Sequence, residues 1–539
     1  MRRGLLAFLA LVAVLAVPFV ARSTRKRQVP SGDAERLVIL TPHNESIRYE
    51  FERGFRAYMA RRGRDVEIDW RWPGGTAEIT RYLASEYTAS FRRHWTEDLG
   101  RKWSSAVAAG MARPPSDGAA GATDVGAEAW RTWLASDVGC GVDLLFGGGS
   151  SEFTKHARAG RLVDAGLRER RPELFGAGGI PQTFGGETYW DAQGRWVGTC
   201  LSTFGVCYNR DALDRLGVTS PPSSWSALAD PVFRNQLAFA DPTKSGSVGK
   251  AFETIVQNQM NEARRRAAVA GEHDHAKLDW AATHEGWASA VRLIRRISAN
   301  ARYFTDSATK VPLDVSRGEA AAGMCIDFFG RFQGEFVAAL GRPGRMGFAT
   351  ARGETSLDAD PIALLRGARH RELAVAFMEF VLSEEGQKLW AFRRGTPGGP
   401  ERYALRRLPI LPRLYDSQFR ADRADPDENP YDEERAFVYR PEWTAPLFSA
   451  IALVVRVACI DPDSELDAAW RALAEAHFPP QATAAFDDLT LVDYDTVAGP
   501  LRAALQSADP LAEANWTIRL VEHHRALYRR VQALAEAGL

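Results

Sequence analysis

An α/β fold built on a parallel sheet is what this sequence predicts, and three observations predict it. Residues 37–40 (LVIL) read as a short buried strand, followed by Ile47, Phe51, Phe55 and Tyr58 at helical spacing. Val66, Ile68, Trp70 and Trp72 alternate with polar residues as a second strand, after which Ile79, Leu83, Tyr87, Phe91 and Trp95 form an i, i+4 stripe. A third apolar run, 142–146, ends in GGGSS at 147–151. Strand, helix, strand, helix, strand is the order that lays parallel strands under covering helices.

The remaining elements follow in order. Residues 112–127 are rich in Gly, Ala and Pro and read as a flexible surface loop. Residues 196–201 and 206–208 are two short strands around Ser202, Thr203, Phe204 and Gly205. PPSSW at 221–225 is a rigid connector. LAFA at 237–240 is a strand, DPTKSGSVGK at 241–250 its exit, and a helix follows. Residues 280–297 are helical; 320–326 form a small apolar strand ending at Asp327, Phe328, Phe329 and Gly330. Residues 361–365 are one more strand, with Leu373, Phe377, Phe380 and Val381 marking the helix behind it. Beyond about residue 400 the character changes: 422–434 is acidic, 447–460 reads as a buried helix, and Trp516, Leu520, His524, Leu527, Val531 and Leu534 describe a closing amphipathic helix.

A chain of 539 residues exceeds one core, so two or three domains are expected. With 68 basic and 68 acidic residues, bulk charge argues for no nucleic-acid partner. Residues 1–23 open with Arg2 and Arg3, continue through an apolar run at 4–20, and end in small residues. That is a secretory signal or, if uncleaved, an N-terminal membrane anchor, and it places the protein outside the cytoplasm. Five cysteines (140, 200, 207, 325 and 459) leave at least one unpaired within the chain; Cys200 and Cys207 are either a bridge or ordinary buried thiols.

Three loops share a design: 41–46, 147–151 and 241–247 each leave a strand and precede a helix. Ligands of open α/β sheets bind beyond such strand ends, where helix starts offer unpaired N–H groups. Ser150, Ser151, Thr243, Ser245 and Ser247 add hydroxyls, while Gly149 and Gly246 admit close approach. The same residue types also serve as plain helix caps. Hydrolytic motifs are missing. The 241–250 stretch lacks the GxxxxGK[ST] spacing, no GxGxxG follows Gly147, no GxSxG sits on a strand–helix elbow, and the ten histidines form no HExxH. His273 and His275 read as solvated, and His523 and His524 as surface and core.

The stretches WVGTCLSTFGVCYN, LAFADPTKSGSVGKAFETIVQ, GEAAAGMCIDFFGRF and ELAVAFMEFVLSEEGQKLW, with LFGGGSSEF and ILTPHNES before them, resemble the extracellular solute-binding proteins of ABC importers. The closest type is the iron(III)-, thiamine- and phosphonate-like class, over about residues 36–400. The resemblance implies a type II periplasmic-binding-protein fold: two α/β lobes joined by a two-strand hinge and closing on a ligand. Lobe one would comprise 36–200 plus 350–400 and lobe two 204–345, with crossings near 199–203 and near 346–350. Thr41, His43, Asn44, Glu45, Gly149, Ser150, Ser151, Ser202 and Thr203 would line the cleft from lobe one and the hinge. Thr243, Lys244, Ser245, Gly246, Ser247, Asp327, Phe328 and Arg331 would face them.

Iron-binding relatives carry adjacent tyrosines where this chain has Phe328 and Phe329, which supply no anionic oxygen. The expected ligand is therefore a small anionic or zwitterionic solute bearing phosphate, phosphonate or carboxylate; ferric iron or its chelate is the alternative. No metal site, no cofactor and no enzymatic activity are expected. The expected partners are the ligand and the importer's membrane subunits, and the expected state is a monomer; a membrane-anchored sensing role is the alternative. Residues 401–539 exceed the family pattern and are expected to be a mostly helical extension packed on lobe one.

Overall fold

The computed structural model describes residues 34–112, 124–432, 437–507 and 509–539. The signal or anchor read at 1–23 lies outside them, as does the middle of the 112–127 loop.

The chain begins with β1 (Glu35–Leu40), α1 (Glu45–Ala60), β2 (Val66–Arg71) and α2 (Thr76–Arg93), then β3 (Leu144–Phe146) and α3 (Ser150–Arg158). β1 pairs in parallel with both β2 and β3. The α2 stripe Ile79, Leu83, Tyr87 and Phe91, with Trp95 just beyond, is buried throughout. Where a loop was expected from residue 112, helices Ser105–Ala112 and Val125–Ala135 reach further; a Cβ on Gly110 would lie 2.3 Å from the Gly126 carbonyl, so the two pack backbone to backbone.

β4 (Val197–Ser202) belongs to the first sheet and β5 (Phe204–Asn209) to the second, with Thr203 alone between them. Lobe two continues with β6 (Leu237–Ala240), α4 (Gly246–Val269), α5 (Trp287–Ala299), β7 (Ala301–Thr305), β8 (Ala322–Ile326), α6 (Asp327–Ala339) and β9 (Met346–Thr350). Residues 351–357 carry the chain back to β10 (Asp358–Leu365), α7 (Arg371–Leu382) and α8 (Glu384–Ala391), and β11 (Leu408–Pro409) completes the first sheet. The sheet orders are β11-β4-β10-β3-β1-β2, with Leu162–Val163 beside β10, and β7-β6-β8-β5-β9. This is the two-lobed α/β fold that the resemblance implied. The second crossing follows Met346–Thr350, because those residues are held in lobe two by antiparallel pairing with β5.

Cys200 and Cys207 fall on opposite sides of the first crossing, and all five cysteines are buried free thiols. β4 pairs with β10 and β11, β5 with β8 and β9, so no ladder brings the two together.

The extension corrects an expectation. Residues 401–432 pack on lobe one, where Leu405, Leu408, Ile410 and Leu414 join its core. The helices beyond them do not. α9 (Phe448–Val455), α10 (Asp463–Glu475) and α11 (Pro510–Glu536) close over lobe two. Ile451, Trp470, Phe486, Leu520 and Tyr528 share one core with Val256, Trp287 and Ile294. The physical reason is that α4 and α5 carry apolar side chains outward as well as inward, and that outer surface needs a cover. Polar anchors fix the fit: Trp470 Nε1 donates to Asn300 Oδ1 (2.8 Å) and Trp287 Nε1 to the Val492 carbonyl (2.8 Å), while Tyr528 Oη, donating to the Ala458 carbonyl (2.6 Å), ties the extension to itself. Pro441–Ile460 is long and apolar enough to cross a membrane, yet 67% of that window is buried inside the protein, as a core helix is.

Candidate functional site

The loops after β1 and β3 are tied together before either meets a ligand. Thr41 Oγ1 donates to the Phe146 carbonyl (2.6 Å) and accepts from His43 N (3.1 Å). His43 is thereby turned inward, its ring edge-on to Phe146 at 4.6 Å. Gly147, at φ +93°, is required there: a Cβ would lie 2.5 Å from the imidazole. Burial lowers the His43 pKa, although Asp360 pulls it up. Gly148 donates its N–H to the Asp360 carboxylate, and Ser150 Oγ donates to Asp358 Oδ1 (2.7 Å).

Asp360 organises the centre. Its Oδ2 lies 2.5 Å from Arg407 Nη1 and 3.4 Å from His43 Nε2. Burial by itself raises this carboxyl, but the Arg407 guanidinium, His43 and the Gly148 N–H together outweigh that and hold it below the usual carboxylate range. Arg407 Nη2 donates to Ser202 Oγ (2.5 Å), and the guanidinium lies 4.2 Å from the Phe328 ring centre. Residues from both lobes and the hinge thus converge on one buried cluster.

Asp327 stands at its lobe-two edge. Its N–H donates to the Thr203 carbonyl (2.9 Å), so α6 begins at the first crossing. The side chain caps nothing. Burial raises its carboxyl to about 6, against the pull of Arg331 and Arg407. Among the described residues neither carboxylate oxygen makes a hydrogen bond of regular geometry, although the backbone N–H groups of Phe328 and Thr203 lie near enough to lower the carboxyl; His43 Nδ1 and Arg407 Nε likewise lack a regular partner. Buried polar atoms without partners are uncommon enough that four around one cluster need an explanation.

Helix starts from both lobes also meet. A Cβ on Gly246, at the start of α4, would face Thr76 Oγ1 at 3.7 Å, and one on Gly148 would lie 3.1 Å from Thr76 Cγ2. The first turn of α2 therefore faces that of α4 across the gap, with the approach to α3 beside them. Ser245 caps α4 through Val248 N (3.5 Å) and sits 3.2 Å from Ser247 Oγ.

Other expected residues lie elsewhere. Asn44 caps α1 through Ile47 N; it, Glu45 and Ser151 are exposed. Thr243 folds back onto Asp241, and exposed Lys244 pairs with Asp306 at 2.6 Å. Arg331 turns from the cleft to the acidic segment, at 3.7 Å from Asp425 and 3.6 Å from Glu428. Sequence reasoning missed Thr76, Asp358, Asp360 and Arg407. Thr76 follows Pro73-Gly74-Gly75, the loop grammar of the other three sites, and was findable. It also passed over Lys250, whose Nζ bridges Glu187 of lobe one (2.9 Å) and Glu253 (3.2 Å). Among the described residues, no group of three or more His, Cys, Asp or Glu could hold a metal ion.

Residues 176–409 match the family of bacterial extracellular solute-binding proteins. The match is less than half of the chain, but it contains both crossings, Asp327, Asp360 and Arg407. It shows the resemblance read from the sequence. A Haemophilus influenzae protein described as uncharacterized is 24% identical over 192 residues, 36% of this chain and 45% of that protein. The match thus spans less than half the length of that relative. Among solved structures, the periplasmic binding protein AfuA from Actinobacillus pleuropneumoniae, with fructose-6-phosphate bound, is 15% identical. That alignment covers 81% of this chain and 97% of AfuA with a TM-score of 0.45. Iron-bound HitA from Pseudomonas aeruginosa is also 15% identical, over 78% of this chain and 99% of HitA, with a TM-score of 0.46.

Proposed function

We propose that this protein is an exported solute-binding protein that captures a small anionic or zwitterionic solute between its lobes and delivers it to an ABC importer. The observation that carries this reading is the unpartnered buried set at the cleft: both oxygens of Asp327, His43 Nδ1 and Arg407 Nε. A solute with both acceptors and donors, such as a zwitterion or a phosphorylated polyol, satisfies all of them. The facing starts of α2 and α4 supply N–H groups for its anionic part. Closure is then favoured by contacts from both lobes at once. The Phe328–Phe329 pair disfavours bare ferric iron, since neither ring carries a donor oxygen.

Native mass spectrometry of the full chain purified from cells identifies the retained solute, and phosphorus in its mass distinguishes a phosphate ester from a zwitterionic carboxylate. With that compound, calorimetry on Asp327→Asn is expected to show affinity weakened about 10-fold or more, the scale of a lost hydrogen bond to a charged group. Unchanged affinity removes Asp327 from the site, and a protein that carries and binds no small molecule removes the reading itself.

A further inference from the structure

Arg407 comes from outside the segments that the two-lobe pattern assigns to the cleft, yet it holds the cleft's centre. It immediately precedes β11, which pairs antiparallel with β4 through Leu408↔Leu201 and Pro409↔Cys200. The residue before it, Arg406, has φ +52°, a left-handed backbone that a non-glycine residue adopts only at a cost. That backbone separates the two arginines: Arg406 turns out to Asp425 (2.5 Å), while Arg407 turns in and is 2% exposed.

The surroundings of Arg407 match a planar cation on every side. A carboxylate, Asp360, meets one terminal nitrogen at 2.5 Å, and a hydroxyl, that of Ser202, meets the other at 2.5 Å. Aromatic rings approach the guanidinium carbon from both lobes: Phe328 at 4.2 Å from lobe two and Trp390 at 5.4 Å from lobe one. Charge-assisted forks and aromatic faces are the general means of recognising guanidinium. His43 Nε2 completes the ring of contacts at 3.5 Å from Nη1.

We propose that the cleft contains a guanidinium-selective subsite, formed by Asp360, Ser202, Phe328 and Trp390, which the protein fills with its own Arg407. The inference deepens the solute-capture reading and rests on the same cleft: Arg407 occupies the place of a ligand's cationic end. With Arg407 absent, the subsite takes a free guanidinium or amidinium compound. With Arg407 present, a solute bound beside it meets a fixed positive charge whose Nε–H faces no protein acceptor, which favours an anionic group there.

The test uses the full chain with Arg407→Ala and methylguanidinium chloride as probe. The variant's thermal midpoint is expected to fall by about 10 °C, since a buried carboxylate is left without its partner. Millimolar methylguanidinium is expected to restore much of that shift with saturation at one site, while tetramethylammonium at equal concentration restores none. The wild type, with its subsite filled, is expected not to respond. Arg407→Ala combined with Asp360→Asn is expected to lose the response. No saturable rise in Arg407→Ala, or an equal rise in the wild type, overturns the proposal. Should the variant fail to accumulate folded, its refolding yield with and without methylguanidinium is the readout, and no recovery overturns the proposal equally. Solute capture is measured on the wild type, so failure of the rescue leaves that reading standing, and failure of solute capture leaves the rescue measurable.

Discussion

Replacing Lys250 by methionine is expected to cost the folded protein about 3–5 kcal/mol, read from urea unfolding. Lys250 lies in the first turns of α4, in lobe two, but its ammonium holds Glu187 of lobe one at 2.9 Å and Glu253 at 3.2 Å. It also lies 3.5 Å from the centre of the Tyr439 ring, in the stretch that leads the chain to its last helices. The carboxylates are nearly sealed, with side-chain exposures of 6% for Glu187 and 2% for Glu253. Glu253 has other donors: Tyr439 Oη at 2.8 Å and Thr444 Oγ1 at 2.6 Å. Among the described residues the Lys250 ammonium is the cation that meets the Glu187 carboxylate, and burial already pushes that carboxyl up to about 7 with Lys250 in place. Methionine fills the volume but leaves two acids against each other, so the loss is electrostatic and not steric. Adding Glu187→Leu to Lys250→Met is expected to recover more than half of the loss, because an interlobe apolar contact replaces a buried acid left without its cation. A single-variant loss below about 1 kcal/mol would show that water reaches this cluster and screens it.

The cluster also shows what the sequence could and could not disclose. The strands and the α2 stripe were legible because burial writes itself as periodicity: Ile79, Leu83, Tyr87 and Phe91 recur on one face, and all are buried. The crossing at Thr203 was legible through a resemblance, not through pattern. In the cleft, His43, Ser202, Thr203, Asp327 and Phe328 do come together, since each stands at a strand end whose direction the topology fixes. Arg407 was not legible. Arg406 and Arg407 are identical in type, and only the left-handed backbone between β11 and its approach decides which one is buried. Lys250 and Lys244 pose the same problem six residues apart: one is buried between acids, the other exposed beside Asp306. Nor does an amphipathic helix carry an address. Leu520, Leu527 and Val531 require some apolar partner, and which lobe supplies it is settled only by the shape and the polar anchors of the surface it meets.

The anchor at that surface makes a prediction about acid. His524 is wholly buried in α11, where Nδ1 donates to the Leu520 carbonyl at 2.7 Å and Nε2 accepts from Arg295 Nη2 at 3.2 Å. Arg295 in turn donates to the carbonyls of Phe486 (2.9 Å) and Asp488, so this imidazole belongs to the joint between lobe two and the extension. Burial first, and the Arg295 charge second, lower its pKa to about 3. In the unfolded chain it titrates near the ordinary value of about 6.5. Between those two values the unfolded chain takes a proton that the native protein refuses, so the stability held above pH 6.5 declines as pH falls toward 3. At pH 5 the deficit is about 2 kcal/mol. His524→Gln keeps a polar side chain without a titrating ring. It is expected to be less stable than the wild type at pH 7.5, with the difference shrinking by about 2 kcal/mol at pH 5. His156, lowered to about 3 in lobe one, and Asp327 and Glu187, raised to about 6 and about 7, are present in both proteins and cancel in the comparison. A difference that stays constant from pH 7.5 to 5 would mean that His524 is protonated in the folded state or reached by water. In the wild type at pH 5, hydrogen exchange is expected to rise first in α11 and α10, because a proton on Nε2 faces the Arg295 guanidinium and α11 must move away to accept it.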